Sequence, residues 1–169
     1  ELVYKDLIAN GKEIRKEDLD QVLRNDIRLQ NYVDIAFKEE FFHVALTEKP
    51  EYNGTQLINA KVITSYLRQL LRNDLQYAPF FMEGMEKKVT EIIEIETSQG
   101  KLALNIGGTI DRIDSKDDTL RIVDYKTGGS PKTPENIKQL FTPADGRPNY
   151  IFQTFLYASI MCRKQSLKV

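Results

Sequence analysis

The chain has one cysteine, one histidine and almost no net charge, and each scarcity closes off a class of function. With Cys162 alone there is no internal disulfide and no thiolate-held metal cluster within the chain, and the residue reads as a small apolar group on a buried helix. His43, in EEFFHVAL, reads as a helix-end or partly buried residue. A formal net charge of −1 leaves no overall basic footprint, so any contact with nucleic acid has to come from a local patch. No stretch approaches the roughly 18 uninterrupted apolar residues that span a membrane. The opening ELVYKDLIANGKE carries acidic side chains and no signal-peptide pattern, so a cytoplasmic location is the default expectation. An initiator methionine is absent as well. The chain opens in a helical pattern and closes on QSLKV as a new strand pattern starts, which is expected of a piece of a longer polypeptide.

What is present is the balance of a globular protein: 169 residues, 41% hydrophobic and 29% charged, within the range of one domain with a real core. Residues 1–80 form a helical part. Lys16 to Arg24 reads as a short helix. Asp26 to Phe42 reads as a longer one, with Leu29, Val33, Ala36, Phe37 and Phe41 at helical spacing. After a connection around Pro50 and Asn53-Gly54, a long helix is expected from Thr55 to Gln76, its apolar stripe made by Ile63, Tyr66, Leu67, Leu70 and Leu71. Residues 81–169 form a mixed part. From Glu86 the β-branched run KVTEIIEIET reads as a strand, Gln99-Gly100 as a turn, and KLALNIGGTIDRID as the antiparallel return. Ser115 to Asp118 reads as a second polar turn, and TLRIVDYKT as a third strand. Gly128 to Arg147 is a connection of about twenty residues, long enough to suggest a functional loop; inside it Thr133-Pro134-Glu135 resembles a helix start. YIFQTFLYASIMC is the last helix, opened by Pro148.

Asp124 and Lys126 stand two apart on an apolar strand and so project from one face. An even-numbered turn over Ser115 to Asp118 pairs Asp114 with Thr119 and Thr109 with Asp124. Asp111 is then diagonal to Asp124 on the same face, at roughly 7–8 Å. Two carboxylates facing each other on a half-buried strand are costly unless a cation compensates them. Mg²⁺ characteristically takes one or two carboxylates plus waters and a phosphate. A metal held there can activate water and neutralise charge developing on a phosphodiester, and Lys126 can orient the water or stabilise the pentavalent phosphate. For the triplet D-x-K by itself the plainer explanation is an ordinary salt bridge. In the last helix Gln153 and Tyr157 share a face in apolar surroundings. A glutamine there needs a partner: a backbone group, the lysine, a water or a DNA phosphate.

Taken together, GGTIDRID (Gly107 to Asp114), IVDYKTG (Ile122 to Gly128) and QTFLY (Gln153 to Tyr157) resemble the PD-(D/E)xK nuclease superfamily, in particular its RecB and AddB type of exonuclease domain. That pattern reads G-x-x-D-R-(I/V)-D, then D-Y-K-(T/S)-G, then Q-x-x-x-Y. The resemblance implies one α/β domain over residues 1–169, with a restriction-endonuclease-like core: a small mixed sheet flanked by helices. It implies catalytic roles for Asp111, Asp124 and Lys126, with Mg²⁺ or Mn²⁺ held by Asp111, Asp124 and the backbone carbonyl of Tyr125. Glu86 resembles a further acidic ligand, with a solvated strand-end charge as the equal alternative. Gln153 and Tyr157 match the motif that positions DNA and the lysine. Arg112 is either a DNA contact or half of a structural pair with Asp114. Glu1-Leu-Val-Tyr4 resembles the tail of the H-x-x-x-E-x-x-Y pattern of relatives, whose histidine would precede residue 1. The lack of four cysteines separates the chain from iron–sulfur relatives.

The implied activity is metal-dependent hydrolysis of DNA phosphodiesters in recombination and repair, with a helicase domain or subunit as partner and no membrane. Lys132, Lys138, Arg147, Arg163 and Lys164 are candidates for a local phosphate-binding surface. The alternatives are a non-catalytic module of the same fold that binds DNA or a helicase, a phosphoesterase acting on small molecules or RNA, and a restriction-type endonuclease.

Overall fold

The computed structural model describes residues 1–9, 11–126, 128, 132–142 and 148–165. Thr127, Gly129, Pro131, Gly146, Arg147 and the expected strand start at Ser166–Val169 lie outside the described residues. The chain divides into two compact units, Glu1–Met82 and Glu83–Val169.

The first unit holds α1 (Leu2–Leu7), the two-residue strand β1 (Glu13–Ile14), α2 (Lys16–Leu23), α3 (Asp26–Ala36), α4 (Gly54–Tyr77) and the start of β2 (Phe80–Thr97). Asn25 starts α3 by accepting the Arg28 amide at 2.9 Å, which satisfies an orphan donor of the first turn. Asn53 and Gln56 start α4 reciprocally: the Asn53 carbonyl accepts the Gln56 amide at 2.9 Å, and the Gln56 carbonyl accepts the Asn53 amide at 2.8 Å. This is a capping box built on asparagine. The expected helix over Asp26–Phe42 forms, but its last turn, Phe37–Phe42, loosens into a π-helix. His43 ends it in the left-handed region, its Nδ1 2.9 Å from the Glu39 carbonyl oxygen, and is exposed.

The buried side of α4 differs from the expected stripe. Ile63 and Tyr66 are exposed, while Ala60, Leu71 and Asp74 are buried. Asp74 shares the helical face of Leu67 and Leu71, and its carboxylate accepts the hydroxyl of Tyr4 on α1, so a charged side chain is held inside by a partner seventy positions away. Ile14↔Phe80 and Glu13↔Phe81 pair antiparallel.

The second unit holds the rest of β2, β3 (Gly100–Lys116), β4 (Thr119–Val123), a 3₁₀ turn (Ile137–Leu140) and α5 (Asn149–Gln165). β2 starts six residues before the expected Glu86, because Phe80 and Met82 alternate inward before the polar run begins. The four strands lie in the sequence order β1-β2-β3-β4. The fold is therefore α/β with a small sheet and flanking helices, consistent with a restriction-endonuclease-like core; a parallel strand pair is not found among the described residues. The expected helix start at Thr133 falls three residues later, where Asn136 accepts the Gln139 amide. α5 lays Tyr157, Ile160 and Met161 onto Val89 of β2 and Ile110 and Ile113 of β3, with Leu120 and Ile122 of β4 at the edge. Each fully buried aliphatic side chain of this kind contributes roughly 1.5–3 kcal/mol. Among the described residues no helix is long and apolar enough to cross a membrane.

Candidate active site

The β3–β4 ladder decides where the acidic residues meet. It pairs Asp114 with Arg121, Ser115 with Leu120 and Lys116 with Thr119, and runs on to Arg112↔Val123. The turn is thus Asp117-Asp118 alone, both residues left-handed at φ 49° and 60°, as a tight two-residue hairpin requires and as aspartate tolerates. The four-residue turn expected from the sequence was too long, and the register differs by two. An even shift preserves the faces. One step past its last pair, Arg112↔Val123, this register would set Asp111 opposite Asp124 rather than diagonal to it, although β4 itself ends at Val123, short of the expected TLRIVDYKT strand.

Contacts agree with that placement. The backbone amide of Tyr125 donates to Asp111 Oδ2 at 2.6 Å. Lys126 is ion-paired with Asp124, whose side chain is only 13% exposed. The Asp124 carboxylate first, and Asp111 after it, hold the Lys126 ammonium above the ordinary lysine range, against a smaller opposing effect of burial. The Lys126 ammonium also lies 5.5 Å from the centre of the Tyr150 ring. Asp111, Asp124 and Lys126 are brought together on one face.

The opposite face carries a separate charge cluster. Arg121 grips Asp114 with two hydrogen bonds of 2.8 Å, and Arg112 Nε is 3.1 Å from Asp114 Oδ2. Arg112 and Asp114 are 1% and 0% exposed, and the guanidinium of Arg112 lies 5.9 Å from the centre of the Tyr125 ring. Of its two expected roles, Arg112 occupies the structural one, with no surface to offer a phosphate. Because Asp114 and Arg121 are ladder partners, their bidentate pair also pins the register that opposes Asp111 to Asp124.

The glycines and the helix motif belong to the same support. Gly107 adopts φ 154°, and a Cβ there would stand 2.0 Å from the Val89 carbonyl oxygen of β2. A Cβ on Gly108 would stand 2.5 Å from the Tyr157 hydroxyl oxygen. That hydroxyl donates to the Thr109 carbonyl at 3.0 Å and accepts from Gln153 Nε2 at 2.8 Å. The partner observed for Gln153 is one the sequence reading did not name, the hydroxyl of Tyr157, which in turn bonds β3 two residues before Asp111.

Other expected site residues lie apart. Glu86 is exposed within β2 in the left-handed region at φ 49°. Among the described residues no group of three or more His, Cys, Asp or Glu side chains is placed to hold a metal ion. Lys132, Lys138 and Lys164 are exposed, and Arg163 is bound to Glu91 at 3.1 Å. Cys162 is half-buried on α5. Tyr150, absent from the expected site, is the residue that sequence reading missed. Its signal was its spacing, three before Gln153 and seven before Tyr157 on one helical face.

Two carboxylates on one face suit a hard cation that keeps several waters, and each retains lone pairs beyond the amide and ammonium contacts just given. The donor set fits a hard divalent cation and would not cage it entirely in protein.

A family model for the PD-(D/E)XK nuclease superfamily matches residues 4–169. The chain belongs to that superfamily, whose members are generally nucleases and typically use divalent metal ions. No curated protein and no solved structure matches the chain significantly.

Proposed function

We propose that this protein is a Mg²⁺- or Mn²⁺-dependent deoxyribonuclease of the RecB-like type, acting as an exonuclease in DNA recombination and repair beside a helicase domain or subunit. The observation that carries the reading is the register: the ladder that ends at Arg112↔Val123 leads Asp111 opposite Asp124, with Lys126 on the same face. Asp111 and Asp124 would hold the cation, with the Tyr125 carbonyl as a candidate third donor. When bound, such a cation lowers the pKa of a coordinated water and neutralises charge on the phosphate.

The protein's own groups do the rest. Asp111, bonded to the Tyr125 amide, and Asp124, ion-paired with Lys126, would offer the cation their remaining lone pairs, with Asp124 shared between it and the ammonium. Lys126 is held as an ammonium by the two carboxylates, so in the metal-free protein it serves as a cation that attracts a scissile phosphate and stabilises the crowded phosphorane oxygens. Gln153 and Tyr157 keep β3 in place behind Asp111. Metal capture by Asp111 and Asp124 and phosphate capture by Lys126 thus meet just past the end of β4.

A gel assay on linear duplex DNA tests this. With Mg²⁺ or Mn²⁺ the wild type is expected to shorten the DNA, and Lys126→Ala or Asp124→Asn to lose about 10²–10⁴-fold in kcat. Closed circular DNA should survive. Cleavage of circles at fixed sequences would make it an endonuclease, and equal loss of an RNA or nucleotide competitor a broader phosphoesterase. DNA binding without cleavage by the wild type would leave a non-catalytic module.

A further inference from the structure

Lys126 has a problem that the proposed chemistry creates. Its ammonium sits on a flexible four-carbon stem with about 2 kcal/mol of rotamer entropy to lose, and its ion-pair partner is Asp124, the carboxylate that a cation would also claim. Something other than Asp124 has to hold the ammonium once that oxygen is shared.

The structure supplies one such group. Tyr150, on the first turn of α5, lies with its ring centre 5.5 Å from Lys126 Nζ, within the range at which the electron-rich face of an aromatic ring attracts a cation. Its hydroxyl also reaches the Gly128 carbonyl at 3.4 Å, so the same side chain touches both the ammonium and the backbone two residues beyond Lys126. Tyr150, Gln153 and Tyr157 follow the i, i+3, i+7 spacing of one helical face. At one end of that face Tyr157 bonds the Thr109 carbonyl ahead of Asp111, and at the other Tyr150 meets Lys126 behind Asp124. Resting on the nuclease reading above, we propose that Tyr150 is a positioning residue for Lys126: its ring keeps the ammonium over the Asp111–Asp124 pair through a contact that metal binding does not consume. α5 then aligns both halves of the site from a single stripe.

Ring and hydroxyl can be separated. Tyr150→Leu removes both, and Tyr150→Phe keeps the ring. On DNA with Mg²⁺ or Mn²⁺, Tyr150→Leu is expected to lower kcat by about three- to tenfold, the size of a partly exposed cation–ring contact, with little change in KM. Tyr150→Phe should recover most of that loss. In a Lys126→Ala background the leucine substitution should cost nothing further, which a merely structural tyrosine would not show. Tyr150 is 42% exposed, so a thermal melt of each variant should stay near the wild type. The second readout does not need activity. In ¹³C-labelled lysine spectra of the metal-free protein, the Lys126 side-chain methylene next to the ammonium should carry an upfield ring-current shift that Tyr150→Leu abolishes and Tyr150→Phe preserves. An inactive wild type that keeps this shift would sink the nuclease reading and leave the contact standing. Absence of the shift, or an active enzyme whose kcat ignores Tyr150→Leu, overturns the positioning role.

Discussion

Replacing Gly108 by alanine probes whether the strand motif and the helix motif are one mechanical unit. The new Cβ would stand 2.5 Å from the Tyr157 hydroxyl oxygen and 3.1 and 3.2 Å from two ring carbons. Tyr157 is 4% exposed and packed among Ile110, Ile113, Ile160 and Met161, so its ring has little room to retreat. Overfilling such a position costs about 1–3 kcal/mol. Displacing the hydroxyl also weakens its bonds to the Thr109 carbonyl and Gln153, each about 1 kcal/mol. Against this, alanine restricts the unfolded chain and returns roughly 0.4–1 kcal/mol. The net expectation is a loss of about 2–3 kcal/mol. Tyr157→Phe alone forfeits the two hydrogen bonds, about 1–2 kcal/mol, but removes the closest clash. The double variant should therefore be more stable than the sum of the single losses implies, by about 1 kcal/mol or more. Urea unfolding followed by far-ultraviolet circular dichroism gives all four corners of the cycle. Additivity within about 0.5 kcal/mol, or a Gly108→Ala protein more stable than wild type, would refute the coupling.

Three further expectations follow from the same geometry. Gly107→Ala places a Cβ 2.0 Å from the Val89 carbonyl oxygen at φ 154°, and should cost about 3 kcal/mol or prevent folding of the second unit, readable as lost soluble yield. Asp114→Ala removes the carboxylate that buried Arg112 and half-buried Arg121 both face and should cost about 3–5 kcal/mol in the same urea assay; a neutral outcome would show that the triad does not hold the register. Lys126 has its folded pKa raised by Asp124 and Asp111. A raised value adds stability below the unfolded pKa and loses it only as pH climbs past the folded one. Lys126 should therefore add no pH dependence to stability between about pH 6 and 9, and side-chain NMR of the metal-free protein should find an ammonium throughout that range. A neutral amine there would contradict the contacts described.

The motifs were legible because their chemistry is local in sequence. Gln153 and Tyr157 share a face by helical periodicity whatever the rest of the chain does; Asp124 and Lys126, two apart just past the end of β4, are joined by their ion pair. The faces of Asp111 and Asp124 were likewise readable from the parity of the turn. How far apart the two carboxylates stand was not, since that distance depended on whether Ser115 and Lys116 belong to the turn or to the ladder. The left-handed Asp117-Asp118 pair decided it, and a backbone choice between neighbouring turn lengths leaves little trace in composition.

By itself the sequence determined the helical first part, the mixed second part, and the strand, turn and helix motifs that carry Asp111, Asp124, Lys126, Gln153 and Tyr157. Those properties follow from periods of 2 and 3.6 residues and need no long-range contact. Tertiary structure alone decided that Arg112 is buried against Asp114 and Tyr125, that Asp74 is held inside by Tyr4, and that Tyr150 comes to rest against Lys126. Each of these outcomes pairs a polar or charged group with a partner from a different element or ladder position. The free energy of such a pair depends on distance and burial, which exist only once the chain has closed on itself.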